Sequence, residues 1–138
     1  MISIICSLLL LAAGMTGCSS DENAALHGTW YIVGYGSDQD FHTNELIVHS
    51  SWISFRSNGT FHGHFYPNNS SGRYECDGNH FAFTEFGERT MMGAADPDLQ
   101  FISRQLRIHF DYHITIVPDT EIRLYYDQDN YLKFYKQK

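Results

Sequence analysis

A chain of 138 residues with 43% hydrophobic and 15% aromatic content has material for one packed domain and is too short for two ordinary ones. Its formal charge of −7, with only 9 Lys and Arg and no basic stripe, argues against nucleic acid and anionic lipid headgroups as partners.

In chain order, residues 2–13 come first, a short apolar run of signal-peptide rather than membrane-spanning length. It leads into Met15-Thr16-Gly17-Cys18 and then Ser19-Ser20-Asp21-Glu22-Asn23. Small residues just ahead of a cysteine resemble a bacterial lipobox, in which the cysteine is acylated and becomes the first mature residue. Acyl carbons, each worth about 0.8 kcal/mol when buried, then replace the cleaved segment as the anchor. Met15 stands where leucine is usual, and no Lys or Arg precedes the run. An ordinary secretory signal or a packed N-terminal helix is the alternative, but a helix apolar all round has no place in so small a soluble domain. The acidic Ser20-Asp21-Glu22 run resembles the surface-export signals of Bacteroidetes lipoproteins. The expected organisation is a signal peptide at 1–17, a lipidated tether at 18–25 and a folded domain at 26–138. Lipid on Cys18 would hold the protein in the cell envelope, at the outer membrane, on its periplasmic or outer face. With Cys6 cleaved off and Cys18 acylated, Cys76 would stand alone, so no disulfide is expected within the domain. Alternation places Cys76 on one face with Tyr74, which predicts a buried, inert thiol.

Residues 26–33 open the domain as a strand with Trp30 and Ile32 on one face, and residues 34–45, rich in Gly, Ser, Asp and Asn, read as a loop. Residues 46–56 read as the next strand. Asn58-Gly59 is a strong hairpin signal, after which Phe61, Gly63 and Phe65 return on the apolar face. Residues 67–72 read as a polar loop, and residues 73–76 and 80–84 pair across Asp77-Gly78-Asn79.

Residues 90–106 hold the one convincing helix. Asp96 can accept the backbone N–H groups two and three residues on, Pro97 suits the first helical position, and Asp98 complements the helix dipole. Leu99, Ile102 and Leu106 form its stripe with Phe101 beside it, while Gln100, Arg104 and Gln105 face away. Residues 107–117 then alternate strictly, with Ile108, Phe110, Tyr112, Ile114 and Ile116 on one side and His109, Asp111, His113 and Thr115 on the other. Pro118-Asp119 turns into a strand at 121–126, and residues 127–130 turn into another at 131–135, with Leu132 and Phe134 inward. Antiparallel strands joined by short turns, each with one apolar face, close most economically as a small barrel. The expected fold is therefore mainly β, a small antiparallel calycin- or lipocalin-like β-barrel with one α-helix packed against it. Bulky inward residues (Trp30, Phe55, Phe61, Phe65, Phe81, Phe83, Phe110 and Phe134) argue against a large cavity, since side chains readily fill a barrel of about eight strands.

The order of these pieces resembles the META domain, or HslJ-like, family of bacterial envelope proteins. The resemblance rests on Gly28-Thr29-Trp30, on Ile53-Ser54-Phe55 ahead of Asn58-Gly59, and on Gly63 followed by Gly72-Arg73-Tyr74. Thr90-Met91-Met92 ahead of an acidic helix start, and then Leu106, complete it. It implies a small antiparallel barrel crossed by one helix and a non-enzymatic role in envelope stress tolerance. Tyr66-Pro67-Asn68 and Ala94 stand where the family commonly carries cysteines. Lipocalin-like lipoproteins share the Gly-Thr-Trp opening and the Asn-Gly and Asp-Gly-Asn hairpins, and this competing resemblance implies a small-ligand binder or carrier.

Few residues suggest chemistry. His109, Asp111 and His113 share one strand face, as do His62 and His64, at a spacing of about 6–7 Å that one metal ion could bridge. The plainer explanation is the wet outer face of half-buried strands. Ser70-Ser71-Gly72 lacks the strand-to-helix elbow of a hydrolase nucleophile, and no glycine-rich phosphate loop precedes the helix. Asp127, Asp129 and Asn130 are explained by turn chemistry and lack the other ligands of a calcium loop. Tyr125, Tyr126, Tyr131 and Tyr135 read as core and rim packing or, alternatively, as an aromatic binding face. No catalytic residue and no cofactor is expected. The expected partner is a membrane, through the lipid on Cys18, and the sequence does not say whether a protein or a small hydrophobic ligand binds as well.

Overall fold

The computed structural model describes residues 23–89 and 96–137. The signal segment, Cys18 and residues 90–95 lie outside that range. A short 3-10 turn, Asn23–Ala25, leads into β1 (Gly28–Gly36) and β2 (Phe41–His42), then α1 (Glu45–Ser50) and β3 (Ser51–Phe55). β4 (Thr60–Phe65), β5 (Asn68–Asp77) and β6 (His80–Arg89) follow, then α2 (Pro97–Gln105), β7 (Tyr112–Val117), β8 (Glu121–Tyr125) and β9 (Tyr131–Lys136). Every ladder between strands is antiparallel. The order β1-β3-β4-β5-β6-β7-β8-β9 returns to β1, closing an eight-stranded barrel, while β2 extends the far end of β1.

Turn chemistry sets the hairpins. Gly59 adopts φ +80 after Asn58, whose carboxamide oxygen accepts the Thr60 N–H, and Gly78 adopts φ +58 between β5 and β6. Alternation then drives one face of each strand inward, as expected for Trp30, Ile32, Phe55, Phe61, Phe65, Phe81, Phe83, Ile114, Ile116 and Phe134, all buried. Their rings touch along the barrel axis. Phe81 lies 5.0 Å from Phe83 and 5.6 Å from Phe55, and Phe83 lies 4.9 Å from Phe61, all edge-to-face. The end of the barrel where the chain enters is sealed by Trp30, whose indole N–H donates to the Leu26 carbonyl at 2.8 Å. The Lys136 ammonium sits 4.6 Å from the Trp30 ring and donates to the His27 carbonyl, tying the two chain ends together.

The other end, the mouth, is covered by α2. Asp96 caps this helix as expected, its Oδ1 accepting the Asp98 and Leu99 N–H groups at 3.0 Å, and Leu99 and Ile102 point into the core. The helix packs against α1 and β4. β6 and β7 pair only at His80 with His113 and Phe81 with Tyr112.

Four expectations are corrected here. The supposed loop at 34–45 contains the end of β1 and all of β2. The start of the supposed strand at 46–56 is α1, because the Asn44 side chain caps it by accepting the Ile47 N–H at 2.9 Å and Ile47 is buried. The cap acts locally, and β3 begins only at Ser51. The supposed loop at 67–72 shrinks to the Tyr66-Pro67 turn, with β5 starting at Asn68 because residues 68–71 complete the ladder with β4. Finally, the strand expected over 107–117 begins only at Tyr112. His109 takes φ +58 and breaks the alternation, Ile108 is left exposed and Phe110 half-buried, and the Tyr112 hydroxyl accepts the Arg107 N–H at 2.9 Å.

Two stability outcomes follow from this architecture. Asp96→Ala removes both capping bonds and should lower unfolding free energy by about 0.5–2 kcal/mol in urea titration; an unchanged midpoint would contradict the assigned cap. Gly36 holds φ +132, and an added Cβ would lie 2.1 Å from the Asp40 carbonyl oxygen. Gly36→Ala should therefore cost at least about 1–3 kcal/mol, read as a lower thermal midpoint.

Candidate functional site: a cleft at the barrel mouth

β1 carries a bulge that re-aims one side chain. Ile32 pairs with Phe134, Gly34 with Lys133 and Tyr35 with Leu132, so Val33 is the extra residue and the alternation shifts by one. Tyr35 thereby joins Leu132 on the inward face at the mouth. Gly34 turns outward beneath β2, where a Cβ would collide with the His42 carbonyl.

Tyr35 is held from several sides. Its ring stacks with Phe101 of α2 at 4.4 Å and with His42 of β2 at 5.1 Å. Its hydroxyl donates to Asp98 Oδ1 at 2.6 Å, while the Asn44 amide donates to Asp98 Oδ2 at 2.6 Å. One carboxylate in the first turn of α2 therefore ties together β1, the cap of α1 and α2 itself. Burial, then Asp98, pushes the Tyr35 phenol far above its ordinary range, so it remains a donor.

The opposite wall comes from residues 126–130. Asp127 Oδ1 accepts the Asp129 and Asn130 N–H groups at 2.9 and 2.8 Å, and the Asn130 amide reaches both carboxylate oxygens at 3.0 Å. Those backbone donors hold the Asp127 carboxyl below the usual range. Burial, with Asp127 beside it, pushes the Tyr126 phenol up to about 12. Phe101 meets the Tyr126 ring edge-to-face at 5.8 Å.

Between these walls lies a cleft of about 310 Å³. Tyr35, His42, Phe101 and Tyr126 supply its rings, and Asp40, Asp127 and Asn130 its polar groups. Barrel mouths are a common place for small-molecule sites, and this volume lies at the lower end of their range. The neighbouring loop is fixed from outside: Asp38 Oδ1 accepts the Tyr131 hydroxyl at 2.7 Å and the Arg123 guanidinium at 3.2 Å. Arg123 in turn donates to Glu121 at 2.7 Å, and Lys133 pairs with the same carboxylate at 3.3 Å. A separate depression of about 360 Å³ lies at the hairpin end, beside Gly59, Tyr74 and Asp77.

The residues singled out for metal binding are not brought together. His109 sits in the left-handed turn before β7, Asp111 pairs with His80 at 3.0 Å, and His113 packs on Tyr125 with ring centres 5.6 Å apart. β4 borders β3 and β5 rather than β7, so His62 and His64 cannot complete such a set. His62 Nδ1 instead accepts from Arg56 at 3.1 Å, and His64 bonds Asn69 at 2.8 Å. Among the described residues no three His, Cys, Asp or Glu side chains group as metal ligands. The expectation of a lone thiol at Cys76 is also corrected. Cys76, expected as a buried, inert thiol, is half-buried and disulfide-bonded. Of the C-terminal tyrosines, Tyr126 lines the cleft, Tyr131 is buried packing and Tyr135 is exposed. Tyr35, His42 and Phe101 escaped sequence reasoning as a site. The one available signal was the pair of glycines flanking Tyr35, a mark of a bulge within a strand pattern.

No protein-family model matches the chain, and no curated protein does. Solved structures do. A protein from Burkholderia xenovorans, determined by NMR, superposes with a TM-score of 0.64 at 16% identity, over 99% of each chain. A DUF4847 family protein from Bacteroides vulgatus superposes with a TM-score of 0.61, also at 16% identity, over 86% of this chain and 98% of that one. At that identity the likeness is one of fold: the chain shares their small β-barrel architecture.

Proposed function

We propose that this protein is a non-enzymatic lipoprotein of the cell envelope, anchored at the outer membrane through Cys18, whose barrel presents a small-ligand cleft on the side away from the anchor. The observation that supports it is the placement of the two ends. The described chain begins at Asn23, five positions after Cys18, and enters the barrel at the end sealed by Trp30 and Lys136. The cleft lies at the far end of β1, roughly 25 Å along its nine residues. A lipid on Cys18 would thus hold the sealed end toward the membrane and leave the mouth facing the aqueous side.

The resemblance to META/HslJ-like proteins adds a role in envelope stress tolerance to this reading. Ligand carriage in the lipocalin manner is the second reading. The rings packed along the barrel axis disfavour an interior site for it, and the cleft supplies an alternative at the mouth. Among the described residues the lining holds rings, carboxylates and an amide, with His42 and Asp40 3.5 Å apart, a set suited to binding.

Cys18→Ser tests the anchor. Wild-type protein should incorporate a labelled fatty acid and sediment with membranes, and the variant should lose both. Acylated, membrane-bound Cys18→Ser protein, or purified wild-type protein that keeps residues 1–17 uncleaved, would overturn the proposal.

A further inference from the structure

We infer that the mouth cleft is a binding site for a small organic cation, an ammonium group carried on an apolar or aromatic body. This deepens the reading of the molecule as a binding protein and rests on it. The cleft offers the two things such a ligand needs. Tyr35, His42, Phe101 and Tyr126 give an aromatic surface for the body, with the Tyr35 ring itself stacked on Phe101 and His42. Asp40 and Asp127 supply two carboxylates at the same opening, and among the described residues no Lys or Arg lies in the lining.

The other ligand classes fit less well. Anions meet two like charges and a chain of net charge −7. A bare metal ion lacks a ligand set, since no three His, Cys, Asp or Glu group together among the described residues. A neutral sugar could use the rings and Asn130 but draws nothing from the charge on the carboxylates. The two acids also differ in a useful way. Asp127 is spent in part on the turn, its oxygens receiving backbone and amide donors that keep it ionised. The Asp40 side chain is 82% exposed and lies 3.5 Å from His42, so it is available to a ligand.

The test uses the full chain in non-ionic detergent at low salt. Phenethylammonium, its neutral isostere phenethyl alcohol and glucose are titrated, with amide chemical shifts read at residues 35, 42, 101 and 126. The ammonium should shift these signals and bind about tenfold or more tightly than the alcohol, weakening as salt screens the charges. Asp40→Asn should weaken it about two- to fivefold, the range of an exposed charge contact. Glu75→Gln, which removes one exposed charge at the hairpin end of the barrel, far from the cleft, should leave the affinity nearly unchanged. Equal binding of the alcohol, preferential binding of glucose, equal effects of the two variants, or absence of shifts at the cleft would each overturn the inference. Fractionation separates the two readings: membrane-bound protein that ignores the ammonium refutes the ligand class alone, and cytosolic protein that binds it refutes the anchor alone.

Discussion

The barrel cannot close on backbone hydrogen bonds alone, because β6 and β7 share only two residue pairs before they diverge. Where the ladder stops, the Phe83 carbonyl accepts the His109 N–H at 2.7 Å and the chain folds back toward α2. The helix buries Leu99 and Ile102 in the core, and the Tyr112 hydroxyl donates to the Gln105 carbonyl at the helix C-terminus. Closure is thus shared between sheet and helix, and everything at the mouth depends on how α2 is held.

What holds it is a short polar relay around one carboxylate. Asp98 accepts from the Tyr35 hydroxyl and from the Asn44 amide, and Asn44 also caps α1. Partly buried, charge-assisted bonds of this kind are stronger than neutral ones and set orientation as well as energy. The same contacts fix the Tyr35 ring against Phe101, so the element that covers the barrel also builds one wall of the cleft. The bulge at Val33 makes this possible: without the extra residue, Tyr35 would face outward.

The two ends of the barrel are chemically different. The sealed end is closed by Trp30 beneath the Lys136 ammonium. The mouth carries rings, carboxylates and two acidic loops, with the loop at 37–40 pinned through Asp38 to Arg123 and Tyr131. A rigid scaffold with function at its loop-bearing end is a common arrangement, since loops can vary without disturbing the core.

Local chemistry made much of this fold legible in the sequence. Period-two patterning placed Trp30, Ile32, Phe61, Phe81, Ile114 and Phe134 in the core, Asn58-Gly59 set a hairpin, and Asp96-Pro97 began a helix, because each depends on neighbours a few residues away. Elsewhere local signals misled. Residues 46–50 read as the start of a strand where the Asn44 cap makes a helix, and polar residues 68–71 suggested a loop where pairing with β4 makes a strand. Strict alternation over 107–111 was broken by His109 and by bonds to Tyr112 that sequence spacing does not record. The cleft was the least legible part. Its residues come from β1, β2, α2 and the loop at 126–130, up to 95 positions apart, and Tyr35 faces it only because of a register shift. The sequence by itself determined a barrel of aromatic-cored strands with one capped helix, since periodicity and capping are short-range. Only the tertiary structure decided where that helix docks and which rings and carboxylates meet at the mouth, because those depend on long-range pairing and burial.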